Sequence, residues 1–302
     1  MLNRRVLLGS AFAAVSAGCL RAEDAAQAKL RVIASFSILE DFVKNVGGER
    51  IASTALVGPN GNAHVYAPPP ADARKVADAR LVFVNGLGFE GWLNRLVKAS
   101  GTKAAIVVAS SGVKALERTN GNDHEHGKAD PHAWQSVANA RIYVSNIRNA
   151  LVATDPASGG IYDANAARYT ARLDALEGEV KAEIGKIPAA RRRVISTHDA
   201  FGYFEAAYGI HFIAPQGVST ESETSARDVG LIISQIRKQS IPAVFLENVS
   251  DPRLMRQIAS ETGAKIGGVL YSDALTDADG EAPTYIDLIR HNVKQLAGAL
   301  LS

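Results

Sequence analysis

Three histidines in this 302-residue chain stand where short apolar runs give way to polar loops. His64 follows Gly58-Pro59-Asn60-Gly61-Asn62-Ala63, His132 lies in Asp130-Pro131-His132-Ala133-Trp134, and His198 lies in Ser196-Thr197-His198-Asp199-Ala200-Phe201. Asp273, in Tyr271-Ser272-Asp273-Ala274-Leu275, ends another apolar run in the same way. A lone histidine at such a place is more often a hydrogen-bonded structural residue. Three in different units, joined by one carboxylate, point to a divalent ion of the zinc type, for which neutral imidazole and carboxylate oxygen are common donors. None of the sequence-local zinc patterns is present, so the fold itself must assemble the four.

The remaining candidates carry weaker signals. Glu247 closes a run at Leu246-Glu247-Asn248, where it could orient a histidine through the ring nitrogen that faces away from the ion. His124 and His126 form a His-x-His pair within the polar, turn-rich stretch 117–129. Two imidazoles on a loop are too few for a closed site, so the pair is either a weak accessory metal site or a solvated loop. His211 falls in a predicted strand and reads as a core or orienting residue. His291, on a C-terminal helix with polar neighbours, reads as solvated, and Arg191-Arg192-Arg193 as a solvated turn. Phe89 and Trp92 read as packing residues of the first half, and Trp134 as a space-filler beside His132.

The elements that must position these residues alternate. Short β-branched runs at Leu30–Phe36, Ile51–Val57, Leu81–Val84 and Ala104–Ala109 are interleaved with longer amphipathic stretches. The second half repeats the pattern at Arg193–Thr197, His211–Ile213, Ala243–Glu247 and Lys265–Tyr271. Alternation of this kind predicts βα units and parallel sheets, with ligands at the carboxyl ends of the strands. The class is therefore α/β, with two small lobes of four parallel strands each. Between them Tyr162, Ala166, Tyr169, Leu173, Leu176, Val180 and Ile184 step by four and three, one face of a long helix over 161–187 that Pro188 ends. The expected division is a first lobe at 29–160, this linking spine, and a second lobe at 188–302.

Composition agrees and excludes other classes. A chain that is 47% hydrophobic but only 6% aromatic suits helix-covered parallel sheets with substantial cores. Of 33 basic residues, Arg4, Arg5 and Arg21 lie in residues 1–22, which hold no acid. The rest of the chain thus sets 30 basic against 31 acidic residues, with no clustered basic stripe for nucleic acid. Residues 1–22 read as an export signal: a basic start at Arg4-Arg5, an apolar stretch from Val6 to Ala17, then small residues. Cys19, the sole cysteine, follows Ser16-Ala17-Gly18 in a lipobox-like setting with Ser where Leu is usual. Lipid attachment at Cys19 and cleavage after Ala22 are the two processing routes, and Arg4-Arg5 leaves twin-arginine export open beside the general route. Either way the mature body holds no disulfide and is expected in the periplasm.

The chain resembles the substrate-binding proteins of the zinc/manganese ABC importers, the TroA-like, cluster A-I family. The resemblance rests on Gly58-Pro59-Asn60-Gly61-Asn62-Ala63-His64-Val65-Tyr66 with Pro68-Pro69-Pro70, on Asn85-Gly86-Leu87-Gly88-Phe89-Glu90-Gly91-Trp92, on Asp130-Pro131-His132-Ala133-Trp134, on Thr197-His198-Asp199-Ala200-Phe201-Gly202-Tyr203-Phe204 and on Leu270-Tyr271-Ser272-Asp273-Ala274-Leu275. These motifs follow the family's order and span nearly everything after the signal. The resemblance implies one metal between two lobes joined by a long helix, with His64 and His132 from the first lobe and His198 and Asp273 from the second. It also implies a receptor that works as a monomer and hands Zn²⁺ to an ABC permease in the inner membrane, with a periplasmic metallochaperone as a further candidate partner. Mn²⁺ is the alternative cargo. His198 stands where manganese receptors of the family carry a glutamate, and three nitrogens with one carboxylate favour Zn²⁺. A zinc hydrolase fits less well, because four protein ligands leave no open position for water and the chain has no His-Glu-x-x-His pattern.

Overall fold

The computed structural model describes residues 28–117, 129–221 and 224–302, so Cys19, the signal segment, His124 and His126 lie outside the described residues. Strands β1 (Leu30–Phe36), β2 (Ile51–Val57), β3 (Leu81–Val84) and β4 (Ala105–Val108) form one parallel sheet in the order β2-β1-β3-β4. Strands β5 (Arg193–Ile195), β6 (His211–Ile213), β7 (Ala243–Glu247) and β8 (Lys265–Leu270) form a second parallel sheet in the order β6-β5-β7-β8. The two halves thus share one strand order. Val32 to Phe36 are all buried, as a strand covered on both faces requires, and this is why β1 carries apolar or small residues on both faces there rather than alternating with charged ones.

Helix α1 (Ser37–Gly47) follows β1, α2 (Pro70–Asp78) and α3 (Leu93–Ser100) flank β3, and α4 (Val137–Thr154) leads into the spine. The spine is α5, Gly159–Gly185, whose 27 residues span about 40 Å at 1.5 Å per residue. All seven predicted apolar positions, Tyr162 through Ile184, are buried. The helix stops two residues before the predicted limit because its last turn tightens, with Ile187 N–H donating to Ile184 O at 3.1 Å just ahead of Pro188. Helices α6 (Gly202–Tyr208), α7 (Ala226–Gln239), α8 (Arg253–Thr262) and α9 (Tyr285–Leu301) complete the second half. Among the described residues, no helix is long and apolar enough to cross a membrane.

The apolar interior is not divided evenly between the lobes. A single cluster runs from β1 and β3 through α4 and α5 to Phe201, Phe204, Leu270 and α9. A smaller cluster of Ile195, Ile232, Ile236, Val244, Met255 and Ile258 lies between the second sheet and helices α7 and α8. Helix α9 packs against β8 as well as against α5 and α1, so the C-terminal helix joins the second sheet to the spine and the first lobe. Asp41 on α1 marks this junction, accepting from Tyr169 Oη of α5 at 3.1 Å and from Tyr285 N–H of α9 at 3.2 Å.

Two sequence expectations are corrected. His211 is in β6, but its side chain points outward and pairs with Glu205 at 2.8 Å, since an edge strand leaves one face to solvent. His291 is buried against the Tyr271 ring, with Nε2 3.0 Å from Val269 O, because the α9 face it occupies covers β8. Arg191-Arg192-Arg193 forms the expected solvent-facing turn into β5, from which Arg191 and Arg192 donate to Leu300 O at 3.2 Å and Ile187 O at 2.8 Å, carbonyls at the ends of α9 and α5.

Candidate metal centre

His64 sits seven residues beyond β2 on a loop that several groups grip. Gly61 N–H closes a turn onto Gly58 O at 3.1 Å, and Asn60 takes the left-handed conformation with φ +55°. Trp92 Nε1–H donates to Ala63 O at 2.7 Å, and the Phe89 ring stands edge-on to the His64 ring at 4.7 Å. The two aromatics that read as packing residues therefore place a candidate ligand directly. Their loop depends on Gly86: its φ is +84°, and a Cβ there would lie 2.5 Å from Val108 Cγ1.

His132 is oriented by Asp130, whose Oδ1 takes the His132 backbone N–H at 2.9 Å and lies 2.8 Å from ring Nδ1. An acceptor at Nδ1 fixes the proton there and leaves Nε2 as the donor to an ion. Asn85 holds the same loop through Pro131 O at 2.9 Å and is itself held by Tyr143 Oη at 2.5 Å. The second lobe comes close here: a Cβ on Gly202 would lie 2.6 Å from Asp130 Oδ2. Asp130 and Asn85 stand inside the quoted motifs but were not assigned a role from sequence. The signal for Asp130 was its carboxylate two residues before a histidine.

His198 follows β5, and Glu247 ends the adjacent β7. Glu247 Oε1 accepts the N–H groups of Thr197 at 2.7 Å and His198 at 3.1 Å, while Oε2 lies 2.6 Å from His198 Nδ1, at ion-pair distance though off a hydrogen-bond angle. Asp273 follows β8. The carbonyl of its neighbour Ser272 receives Trp134 Nε1–H at 2.9 Å and Gln135 Nε2 at 2.7 Å from the opposite lobe. Trp134 therefore does more than fill space beside His132.

These loops bring one donor atom each from His64, His132, His198 and Asp273 within 4.8 Å of one another. His64 Nε2 is 3.3 Å and His198 Nε2 3.1 Å from Asp273 Oδ2, His132 Nε2 is 3.6 Å from Oδ1, and the His64 and His132 Nε2 atoms are 3.2 Å apart. Asp273, His132 and His198 are fully buried and His64 is 6% exposed. Neither Asp273 oxygen nor His198 Nε2 has a well-formed hydrogen bond, and buried orphans cost on the order of 1–3 kcal/mol each. A cation at the centre would satisfy all of them.

The electrostatics have the same character. Burial holds the His64 imidazole neutral down to about 4, despite the pull of Asp273. Burial acts the same way on His198, but the carboxylates of Glu247 and Asp273 together outweigh it and raise that ring well above its ordinary range. For Asp273 burial favours the neutral acid, yet the His198 and His132 rings win and hold it well below the usual carboxylate range. The ring is thus negative enough to hold a cation and closed enough to exclude a reacting water. That suits retention of an ion rather than hydrolysis.

Two α/β lobes, a spine helix and a closed three-histidine, one-aspartate cluster between them define a metal-binding substrate receptor of an ABC importer, not an enzyme. The periplasmic ZnuA family, zinc-uptake complex component A, matches residues 32–299, and the chain belongs to it. The iron-binding protein YfeA of Yersinia pestis is 34% identical over 269 residues, 89% of this chain and 86% of that one. The manganese-binding lipoprotein MntA of Halalkalibacterium halodurans is 34% identical over 292 residues, 95% of each chain. Among solved structures, the periplasmic zinc binding protein TroA from Treponema pallidum superposes with a TM-score of 0.84 at 28% identity, over 90% of this chain and 99% of that one.

Proposed function

We propose that the chain captures Zn²⁺ outside the cytoplasm and presents it to the permease of an ABC importer, with His64, His132, His198 and Asp273 as the four ligands. The observation that carries this reading is the donor set itself: three buried imidazoles and one buried carboxylate converging from two lobes. Asp130 and Glu247 support it by presenting His132 and His198 with Nε2 toward the centre. Imidazole-rich sites suit Zn²⁺, which also stands above Mn²⁺ in intrinsic affinity. The name of MntA supports a second reading, Mn²⁺ as cargo, and a bidentate Asp273 would supply the harder oxygen donors that ion prefers. The lipoprotein in that name equally supports anchoring through Cys19. Metal content of the exported protein, followed by competition titration, tests the assignment: one tightly held Zn²⁺ that equimolar Mn²⁺ does not displace is the expected result, and displacement by Mn²⁺ reverses it.

A further inference from the structure

The lobes meet on two sides of the cluster in different ways. On the inner side the contacts are buried: Trp134 and Gln135 hold Ser272 O, and Tyr285 Oη donates to Trp134 O at 2.7 Å. On the outer side a polar clasp forms around the loop that carries His64. Asn62 Nδ2 donates to Thr220 Oγ1 at 2.8 Å and to Val249 O at 3.1 Å, both on the second lobe. Its other amide atom, Oδ1, takes the backbone N–H of His64 at 3.0 Å and the Thr220 hydroxyl at 3.1 Å. Asn60 adds N–H to Leu275 O at 2.8 Å and a contact with Asn248 Nδ2 at 3.2 Å. One amide thus ties a candidate ligand's backbone to the opposite lobe.

We propose that Asn62 is a positioning residue for ion retention, coupling the placement of His64 to closure of the lobes through Thr220 and Val249. This rests on the four-ligand reading above. His64 is the least buried member of the cluster, at 6% against 0% for the other three. Outside it opens a cavity of about 720 Å³ lined by Val65, Tyr66, Trp92 and Arg95. The ion leaves past His64, and the clasp is the set of contacts that must break for His64 to move. Its contacts are half-exposed hydrogen bonds, which open more readily than the buried Trp134–Ser272 side. The clasp therefore sets the rate of release more than the composition of the site.

The test is Zn²⁺ release from the loaded full chain into excess chromogenic chelator, for wild type, Asn62→Ala, Thr220→Val and the double variant. Thr220→Val lies on the rim and leaves the Asn62–His64 bond in place, so it separates clasping from ligand orientation. Each single variant is expected to release Zn²⁺ about tenfold faster, the effect of losing one or two net hydrogen bonds. The double variant is expected to be no faster than the faster single, because the two residues act as one contact. Unchanged release in Thr220→Val, or fully multiplicative effects in the double variant, overturns the clasp while leaving the site intact. A wild-type chain that retains no Zn²⁺ overturns the four-ligand reading, and the clasp with it.

Discussion

Glu247 meets His198 twice: Oε2 lies 2.6 Å from ring Nδ1, and Oε1 accepts the backbone N–H at 3.1 Å. One carboxylate at the end of β7 thus fixes both the loop and the ring of a residue at the end of β5, and turns Nε2 toward Asp273. Glu247→Gln keeps an acceptor for the two N–H groups but removes the charge beside Nδ1. Orienting partners of this kind are worth roughly 10- to 100-fold in metal affinity. Competition titration of Glu247→Gln should show a loss of that size with one ion still bound. An unchanged affinity would mean that His198 is oriented without Glu247.

Glu247 was legible because it ends an apolar run beside another strand end, and His64, His132, His198 and Asp273 for the same reason. Parallel strands announce themselves by continuous apolar runs, and the spine by its four-and-three spacing, so the fold class followed from local pattern. What local pattern does not carry is partnership across the cleft. Trp134 and Ser272 are 138 residues apart, and Asn62 and Thr220 are 158 apart, so nothing near either residue names the other. His211 and His291 fail for a related reason. Exposure on an edge strand, or burial under a returning helix, is decided by where α9 and β6 dock rather than by their own neighbours.

Asp273 faces all three histidine nitrogens and is fully buried. In the closed site its removal takes away the only carboxylate of the four and leaves a charged ion among neutral rings. Asp273→Ala should therefore weaken Zn²⁺ by orders of magnitude, as should His198→Ala and His132→Ala. His64→Ala, at the cluster's least buried corner, should cost least, because solvent can reach the vacated position. Titration of the four single variants checks the order, and a nearly wild-type Asp273→Ala would contradict it.

The pH dependence follows from the same cluster. His198 is raised above its ordinary 6.5, so in the ion-free protein it carries a proton at neutral pH that an incoming ion must expel. Affinity should fall as pH falls, and titration calorimetry in buffers of different ionisation enthalpy should show about one proton released near pH 7. For the ion-free fold the sign differs. A raised histidine contributes stability that is complete below 6.5 and lost as pH rises through the raised value, while the depressed Asp273 contributes above 3.8 and loses it as pH falls. His64, neutral down to about 4, adds to the loss at the acid end. Because the His64 loss begins as pH falls below 6.5, the ion-free protein should be helped by this cluster most near pH 6.5, and below that the loaded protein also binds less tightly. Melting curves of His198→Ala against wild type, both stripped of metal, should differ least at alkaline pH.

Metal removal should be felt beyond the site, because the proposed ligands come from both lobes while one apolar cluster links β1, α5 and α9. An ion that binds only the folded chain stabilises it by RT ln(1 + [L]/Kd), about 4 kcal/mol at a thousandfold excess over Kd. In a chain of this size each kcal/mol is worth roughly 2 °C, so saturating Zn²⁺ should raise Tm by about 8 °C over the chelated protein. The second lobe should gain most. Its smaller cluster around Ile232, Val244 and Met255 has less apolar packing of its own, and it carries His198 and Asp273, two of the four proposed ligands. Hydrogen exchange with and without Zn²⁺ should accordingly show the larger gain in protection in β5, β7 and β8, and a smaller one in β1 and α5. In His132→Ala the Tm shift should collapse. A full shift in that variant would place the stabilising ion somewhere other than between the lobes.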